Sequence, residues 1–224
     1  MFCLLNTVPK IDIFLHLRPF AWVIPVIIVF YVAKIVFKNP KFKGWLGEKQ
    51  LDLFTLKKLD PKKYKILSDL YIPRSDDQST TQIDHLLVSP YGVFVIETKN
   101  YGHWIFGSEK QAKWTQKIFK VSKQFQNPLR QNKAHIDALV KFLDADESYF
   151  HNLVFFVGNS TFKKEMPHNV KDRGFRSYIE SYQNPLLTPE QVDYIYTALS
   201  NYDKSLDRKQ VAIDHVKFLK MKFD

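Results

Sequence analysis

Residues 81–101, TQIDHLLVSPYGVFVIETKNY, constrain this chain more than any other stretch. Two mostly apolar runs, Ile83–Val88 and Val93–Ile96, flank Ser89-Pro90-Tyr91-Gly92. That order predicts strand, tight turn, strand. The runs do not alternate cleanly between apolar and polar residues, so the hairpin is expected inside a sheet covered on both faces. Asp84 in the first run and Glu97-Thr98-Lys99 after the second interrupt the apolarity. Charges at such positions are costly unless they are paired or hold a metal.

Turn geometry decides which charges meet. Glu97 and Lys99 are two residues apart and share one face of a strand. With Pro90 and Tyr91 as a two-residue loop, Ser89 opposes Gly92, Val88 opposes Val93 and Asp84 opposes Glu97. Directly opposed residues have Cβ atoms about 4.5–5.5 Å apart. Carboxylates that close repel unless one is protonated or a cation lies between them. Lys99 then completes a group of two acids and one base. A three-residue loop with Gly92 as a bulge residue shifts the register by one and sets Asp84 against Thr98. From spacing alone, a structural ion pair of Lys99 with Glu97 or Asp84 competes with a metal site.

Composition limits the alternatives. The chain has 224 residues and a formal net charge of +10. Residues 1–43 hold six Lys or Arg against one Asp, so the remainder nets only +5 and does not by itself establish nucleic-acid binding. The single Cys3 excludes an internal disulfide framework or a Cys-based zinc site. Pro19 to Ala33 is uncharged, and Ile35-Val36-Phe37 extends the apolar run past Lys34. Against the ~20 residues a bilayer core requires, residues 19–37 predict a single-pass membrane anchor, with a signal peptide or a buried helix as competitors. Lys34, Lys38, Lys41 and Lys43 after it favour a C-terminal domain in the cytoplasm.

Beyond Asn39-Pro40, Trp45 to Asp60 reads as a helix with Leu46, Leu53, Leu56 and Leu59 in one stripe and Glu48 beside it. A solvated acid favoured by the helix dipole is the plain reading of Glu48. Lys63 to Ile72 reads as a strand, Trp104 to Gly107 as a short strand after the Gly102 turn, and Ala112 to Val121 as a strand pair. Asn127 to Leu143 reads as a helix with Pro128 in its first turn. Gln131 and His135, one turn apart on it, can contact one neighbour. Leu153 to Val157 fits a buried strand. Thr188-Pro189-Glu190-Gln191 is a capping box opening a helix to Ser200, and Lys209 to Phe223 reads as a last helix. His85 points away from Asp84 and suits the core. Trp104 and Trp114 can stack on bases, though core packing competes for both.

Four words in order carry a resemblance: residues 44–48 (GWLGE), 82–85 (QIDH), 92–100 (GVFVIETKN) and 127–132 (NPLRQN). An Asp followed by Glu-x-Lys at the end of the next strand resembles the PD-(D/E)XK nucleases. The four words together resemble the nuclease-related domain, NERD, from Gly44 to Leu143. One departure is that Gly102 stands where the pattern leads one to expect glycine a place later, at His103. The resemblance implies an α/β, restriction-endonuclease-like core of helix, mixed β-sheet and helix at 44–160, after the anchor at 1–43 and before a C-terminal α/β extension at 161–224. It implies a nuclease in which Asp84, Glu97 and the Thr98 carbonyl bind Mg²⁺ or Mn²⁺, and Lys99 positions or activates the attacking water. Glu48 and Gln131 are implied as supporting catalytic residues. Gln82, Asn100 and Trp104 are implied nucleic-acid contacts, DNA ahead of RNA, and a homodimer is a further expectation. A weakly catalytic binding protein or a membrane scaffold that keeps the fold is the alternative.

Overall fold

The computed structural model describes residues 25–26, 29–31, 56–74 and 79–223, with side chains to Phe218. Internal contacts divide the chain into two compact units, Met1–Lys43 and Gly44–Asp224. One expectation is corrected at once. Among the described residues no helix is long and apolar enough to cross a membrane. Spanning takes ~20 continuous residues, and of residues 19–37 only 25–26 and 29–31 are described, as short helical pieces. The single-pass placement with a cytoplasmic C-terminal domain is therefore not supported. The rest of that stretch, and Glu48 with most of its expected helix, lies outside the described residues.

In the second unit a 3₁₀ turn at Leu56–Lys58 leads into β1 (Lys65–Pro73), β2 (Thr80–Ser89) and β3 (Gly92–Lys99). Then come β4 (His103–Phe106), β5 (Lys113–Ile118), β6 (Val121–Gln126) and helix α1 (Pro128–Leu143). Strands β7 (Phe150–Phe156), β8 (Ser160–Phe162) and β9 (Val170–Lys171) follow, and helices α2 (Phe175–Glu180), α3 (Pro189–Ser205) and α4 (Arg208–Phe223) close the unit. The fold is mixed α/β. One sheet has the order β1-β2-β3-β7-β9, antiparallel through β3 and parallel beyond it. A smaller sheet has the order β6-β5-β4-β8.

The hairpin is the centre of the larger sheet. Its loop is Pro90-Tyr91, with Ser89 opposite Gly92 and Val88 opposite Val93. Gly92 is at φ 113°, and a Cβ there would lie 2.7 Å from His151 Nε2 and 2.8 Å from Tyr149 O, so both backbone and space require glycine. Both faces of the sheet are covered, as the near-continuous apolar runs predict. Leu86, Val88, Val93 and Val95 pack against α1 and α3 through Ile136, Leu139, Ile195 and Leu199. Leu87, Phe94 and Ile96 pack on the opposite side against Leu56, Leu59, Phe175 and Ile179.

Local chemistry fixes the helices. The Asn127 side chain caps α1 by accepting from Leu129 N, Pro128 supplies the first turn, and Asp144 ends the helix in the left-handed region. The Thr188–Gln191 capping box is formed in both directions at the start of α3, which runs five residues beyond Ser200. The strand pair expected at 112–121 is a longer hairpin ending at Gln126. Trp114 is buried and stacks on Phe156 at 6.2 Å between centroids. Trp104 departs from the core-packing alternative: it lies on the outer face of β4 and is 44 % exposed.

Candidate active site

The ladder between β2 and β3 runs from Ser89–Gly92 to His85–Ile96 and stops. Asp84 and Glu97 are the next step. Between β1 and β2 the ladder also skips a step there, pairing Ser68 with His85 and Leu70 with Ile83 around Asp69 at φ 56°. The sheet is thus interrupted on both sides of Asp84. Thr98 N–H, which a continuing ladder would hand to a main-chain carbonyl of β2, donates to Asp84 Oδ2 at 2.8 Å instead. The N–H and carbonyl of one strand residue point to the same side, so the Thr98 carbonyl also faces the opened seam.

Glu97 is 2 % exposed. Its Oε1 accepts from Lys99 Nζ at 2.5 Å, and the same Nζ donates to Gln131 Oε1 at 3.0 Å. Its Oε2 lies 3.3 Å from His135 Nε2, off the line of a hydrogen bond, so both atoms are buried without a hydrogen-bond partner. On the other side of that imidazole, Nδ1 is 2.7 Å from Thr81 Oγ1. Gln131 and His135, one turn apart on α1, therefore meet opposite ends of the Glu97–Lys99 pair.

The helix is held in that position by Asn132. Its amide donates to Val95 O at 2.7 Å, to Asn152 Oδ1 at 2.9 Å and to Leu153 O at 3.3 Å, tying α1 to β3 and β7. Asn127 Nδ2 meanwhile gathers the carbonyls of Ser108, Glu109 and Gln111. These two asparagines explain why the word at 127–132 sits where it does.

Electrostatics separate the members. Burial would raise the Glu97 carboxyl, but Lys99 and then His135 outweigh it and hold it at about 2, against an ordinary 4.5. Burial works against the Lys99 charge, yet Glu97 first and Asp84 after it raise Lys99 above its ordinary value. At neutral pH the pair is fully ionised. A cavity of about 380 Å³ lies beside it, lined by Asp84, Gln131, His135 and Thr81, by Arg74, Gln82 and Gln126, and by His215 and Phe218 of α4.

The structure brings Asp84, Glu97, Lys99 and Gln131 together. Gln82 donates its amide to Asp69 Oδ1 at 2.6 Å at the cavity edge. Asn100 is partly buried just past β3, and Trp104 lies on the smaller sheet. His85 is buried with Nδ1 3.0 Å from Ser68 Oγ, as a core histidine. His103 takes φ 67°, the conformation glycine adopts freely. It does so at the position where the pattern led one to expect a glycine.

Among the described residues, no group of three or more His, Cys, Asp or Glu side chains stands where it could hold a metal ion. Two carboxylates and a main-chain carbonyl remain, hard-oxygen donors of the kind Mg²⁺ takes together with water. The unbonded Glu97 Oε2 is the atom such an ion would satisfy.

The pattern of the nuclease-related domain family, NERD, matches residues 43–157, just over half of the chain. The chain belongs to the NERD family. An uncharacterized protein of Bacillus anthracis is 38 % identical to this NERD protein over 189 residues, covering 81 % of this chain and 88 % of the relative. No solved structure matches the chain. Residues 43–157 include Asp84, Glu97, Lys99 and Gln131, whereas His215 and Phe218 come from beyond them. Sequence reasoning had no means of placing Thr81, Arg74 or His215 at the cavity. The spacing of Gln131 and His135 was the one available signal for His135.

Proposed function

We propose that this NERD protein is a metal-dependent nuclease of PD-(D/E)XK type, hydrolysing phosphodiester bonds where the β2–β3 seam opens. The observation that carries this reading is that Asp84 and Gln131 line one cavity, while Gln131 accepts from the Lys99 ammonium that is paired with Glu97 and Asp84 accepts from Thr98 N–H between them. Asp84, Glu97 and the Thr98 carbonyl would hold Mg²⁺. When bound, such an ion polarises the phosphate and lowers the pKa of coordinated water. Lys99, held protonated by Glu97, is suited to stabilising charge on the phosphate rather than to removing a proton from water. Gln131 fixes the Lys99 ammonium from the helix side, and Thr81 orients the His135 ring against Glu97.

The test is cleavage by the full chain of circular single-stranded DNA, linear duplex DNA and RNA, with Mg²⁺, with Mn²⁺ and with EDTA. Asp84→Asn is the informative variant, because Lys99→Ala would strand a buried carboxylate and confuse folding with chemistry. Metal-dependent cutting reduced about 100-fold or more in Asp84→Asn, with an unchanged circular dichroism spectrum, is the expected result. Equal cutting by wild type and variant, or cutting that persists in EDTA, would sink the reading. The near-complete burial of Glu97 favours one alternative, a nucleic-acid-binding protein with a closed site. Tight binding of these substrates without cleavage under any metal would favour it.

A further inference from the structure

The smaller sheet presents one face to the core and one to solvent. Ile105, Trp114 and Phe125 face inward. Register places Trp104 opposite Lys117, Thr115 opposite Gln124 and Lys113 opposite Gln126 on the outer face. From Lys110 to Gln126 the chain carries five lysines and no acid. The Trp104 ring is 44 % exposed and has Lys163 Nζ 4.5 Å from its centroid. This face is continuous with the candidate active site, since Gln126 at the base of β6 lines the 380 Å³ cavity.

At the far end the β5–β6 turn is built against backbone preference. Phe119 has φ 51°, a region that costs a β-carbon-bearing residue energy and that glycine enters freely. It is nevertheless 81 % exposed, with its ring 5.6 Å from the His103 ring. Strain spent on exposing an aromatic is the kind of outlier from which function can be argued.

We infer that the outer face of this sheet is a track for a single strand of nucleic acid leaving the cavity. Lys113 and Lys117 meet its phosphates, and Trp104 stacks on a base. The inference rests on the nucleic-acid reading of the site. Its chemistry is that of sequence-tolerant strand binding, a basic groove interleaved with aromatic faces. The lysines run from Lys110 and Lys113 at the cavity end through Lys117 to Lys120 in the turn, so the row extends along β5 beyond the apolar tip. That spread suits an extended polyanion better than a membrane surface, which would engage the tip alone.

The test is binding in EDTA, where no cutting intervenes, of the full chain to a fluorescein-labelled single-stranded 20-mer, read by anisotropy. Trp104→Ala is expected to weaken binding about tenfold, with Trp104→Phe restoring most of it. Lys113→Ser/Lys117→Ser is expected to reduce the slope of log K against log salt by about 1.4, two phosphate contacts at about 0.7 each. Lys62→Ser/Lys63→Ser, on exposed lysines elsewhere, is expected to leave binding nearly unchanged. Unaltered affinity and slope in the Trp104 and Lys113/Lys117 variants would overturn the track, as would failure of the wild type to bind the strand. So would dependence on these residues seen only with vesicles containing phosphatidylserine. If wild type binds through this face yet never cuts with metal, the nuclease reading fails and the track stands. If it cuts while the face variants bind normally, the reverse holds.

Discussion

Glu97 and Lys99 form a buried ion pair whose value depends on both partners being charged. Breaking such a pair by removing one member costs about 3–5 kcal/mol, because the other is left uncompensated in a low-dielectric site. Glu97→Gln should therefore destabilise the metal-free protein at pH 7 by about 3 kcal/mol. The pH dependence has a definite sign. The folded carboxyl titrates at about 2 rather than 4.5, so its contribution is complete above pH 4.5 and is lost as pH falls toward 2. Glutamine does not titrate. Urea unfolding of wild type and Glu97→Gln in EDTA should give a stability gap that narrows steadily between pH 4.5 and 2. A gap that stays constant across that window would mean that Glu97 is not held ionised by Lys99.

Helix α1 carries Gln131 and His135, but Asn132 sets where it carries them. Removing the Asn132 amide takes away the two N–H donors that three acceptors share, a cost of about 2 kcal/mol. Asn132→Ala should lower the thermal midpoint by several degrees and also reduce cleavage, because the helix loses its tie to β3. Gln131→Ala, which leaves Lys99 paired with Glu97, should reduce cleavage with less than about 1 kcal/mol lost. Equal stabilities for the two variants would remove Asn132 from its positioning role. Much of this arrangement was legible beforehand, because the signals are local. The turn of the hairpin lies within four residues, and the cap of α1 within three. Once the two-residue loop is chosen, register alone brings Asp84 toward Glu97. The rest depended on distant partners. Strands β8 and β9 have three and two residues, too short for any periodicity to show. Helix α2 starts from Gly174 at φ 65° with no side-chain cap to announce it. The smaller sheet gains β8 only through the parallel pairing of residues 103–105 with 160–162, more than fifty positions apart. Thr81 reaches His135 across 54 positions, a contact that no spacing rule foresees.

At the scale of the second unit, the cavity is closed by a helix outside the NERD match. His215 of α4 lies with Nδ1 3.0 Å from the Thr80 carbonyl and its ring edge-on to Tyr71 at 5.7 Å. Phe218, one turn on, has the Arg74 guanidinium 5.9 Å from its ring centroid, and both line the cavity. The docking contains a titrating group. Burial pushes His215 below its ordinary 6.5; Thr80 opposes that shift, and His135 and Arg74 add to it. A histidine depressed in the folded state contributes stability fully above its ordinary pKa, and that contribution is lost as pH falls through the folded value. Docking of α4 should thus weaken from about pH 6.5 downward. Amide exchange at 208–218, corrected for intrinsic rates, should accelerate between pH 7 and pH 5.5 while amides of β3 stay protected. His215→Phe keeps an aromatic against Tyr71 and removes the titration, so its exchange in α4 should be independent of pH over that range. If wild type and His215→Phe open in parallel as pH falls, the sensitivity lies in a group other than His215. If only the wild type opens, a residue beyond the family domain governs whether α4 stays docked over the cavity that Asp84 lines.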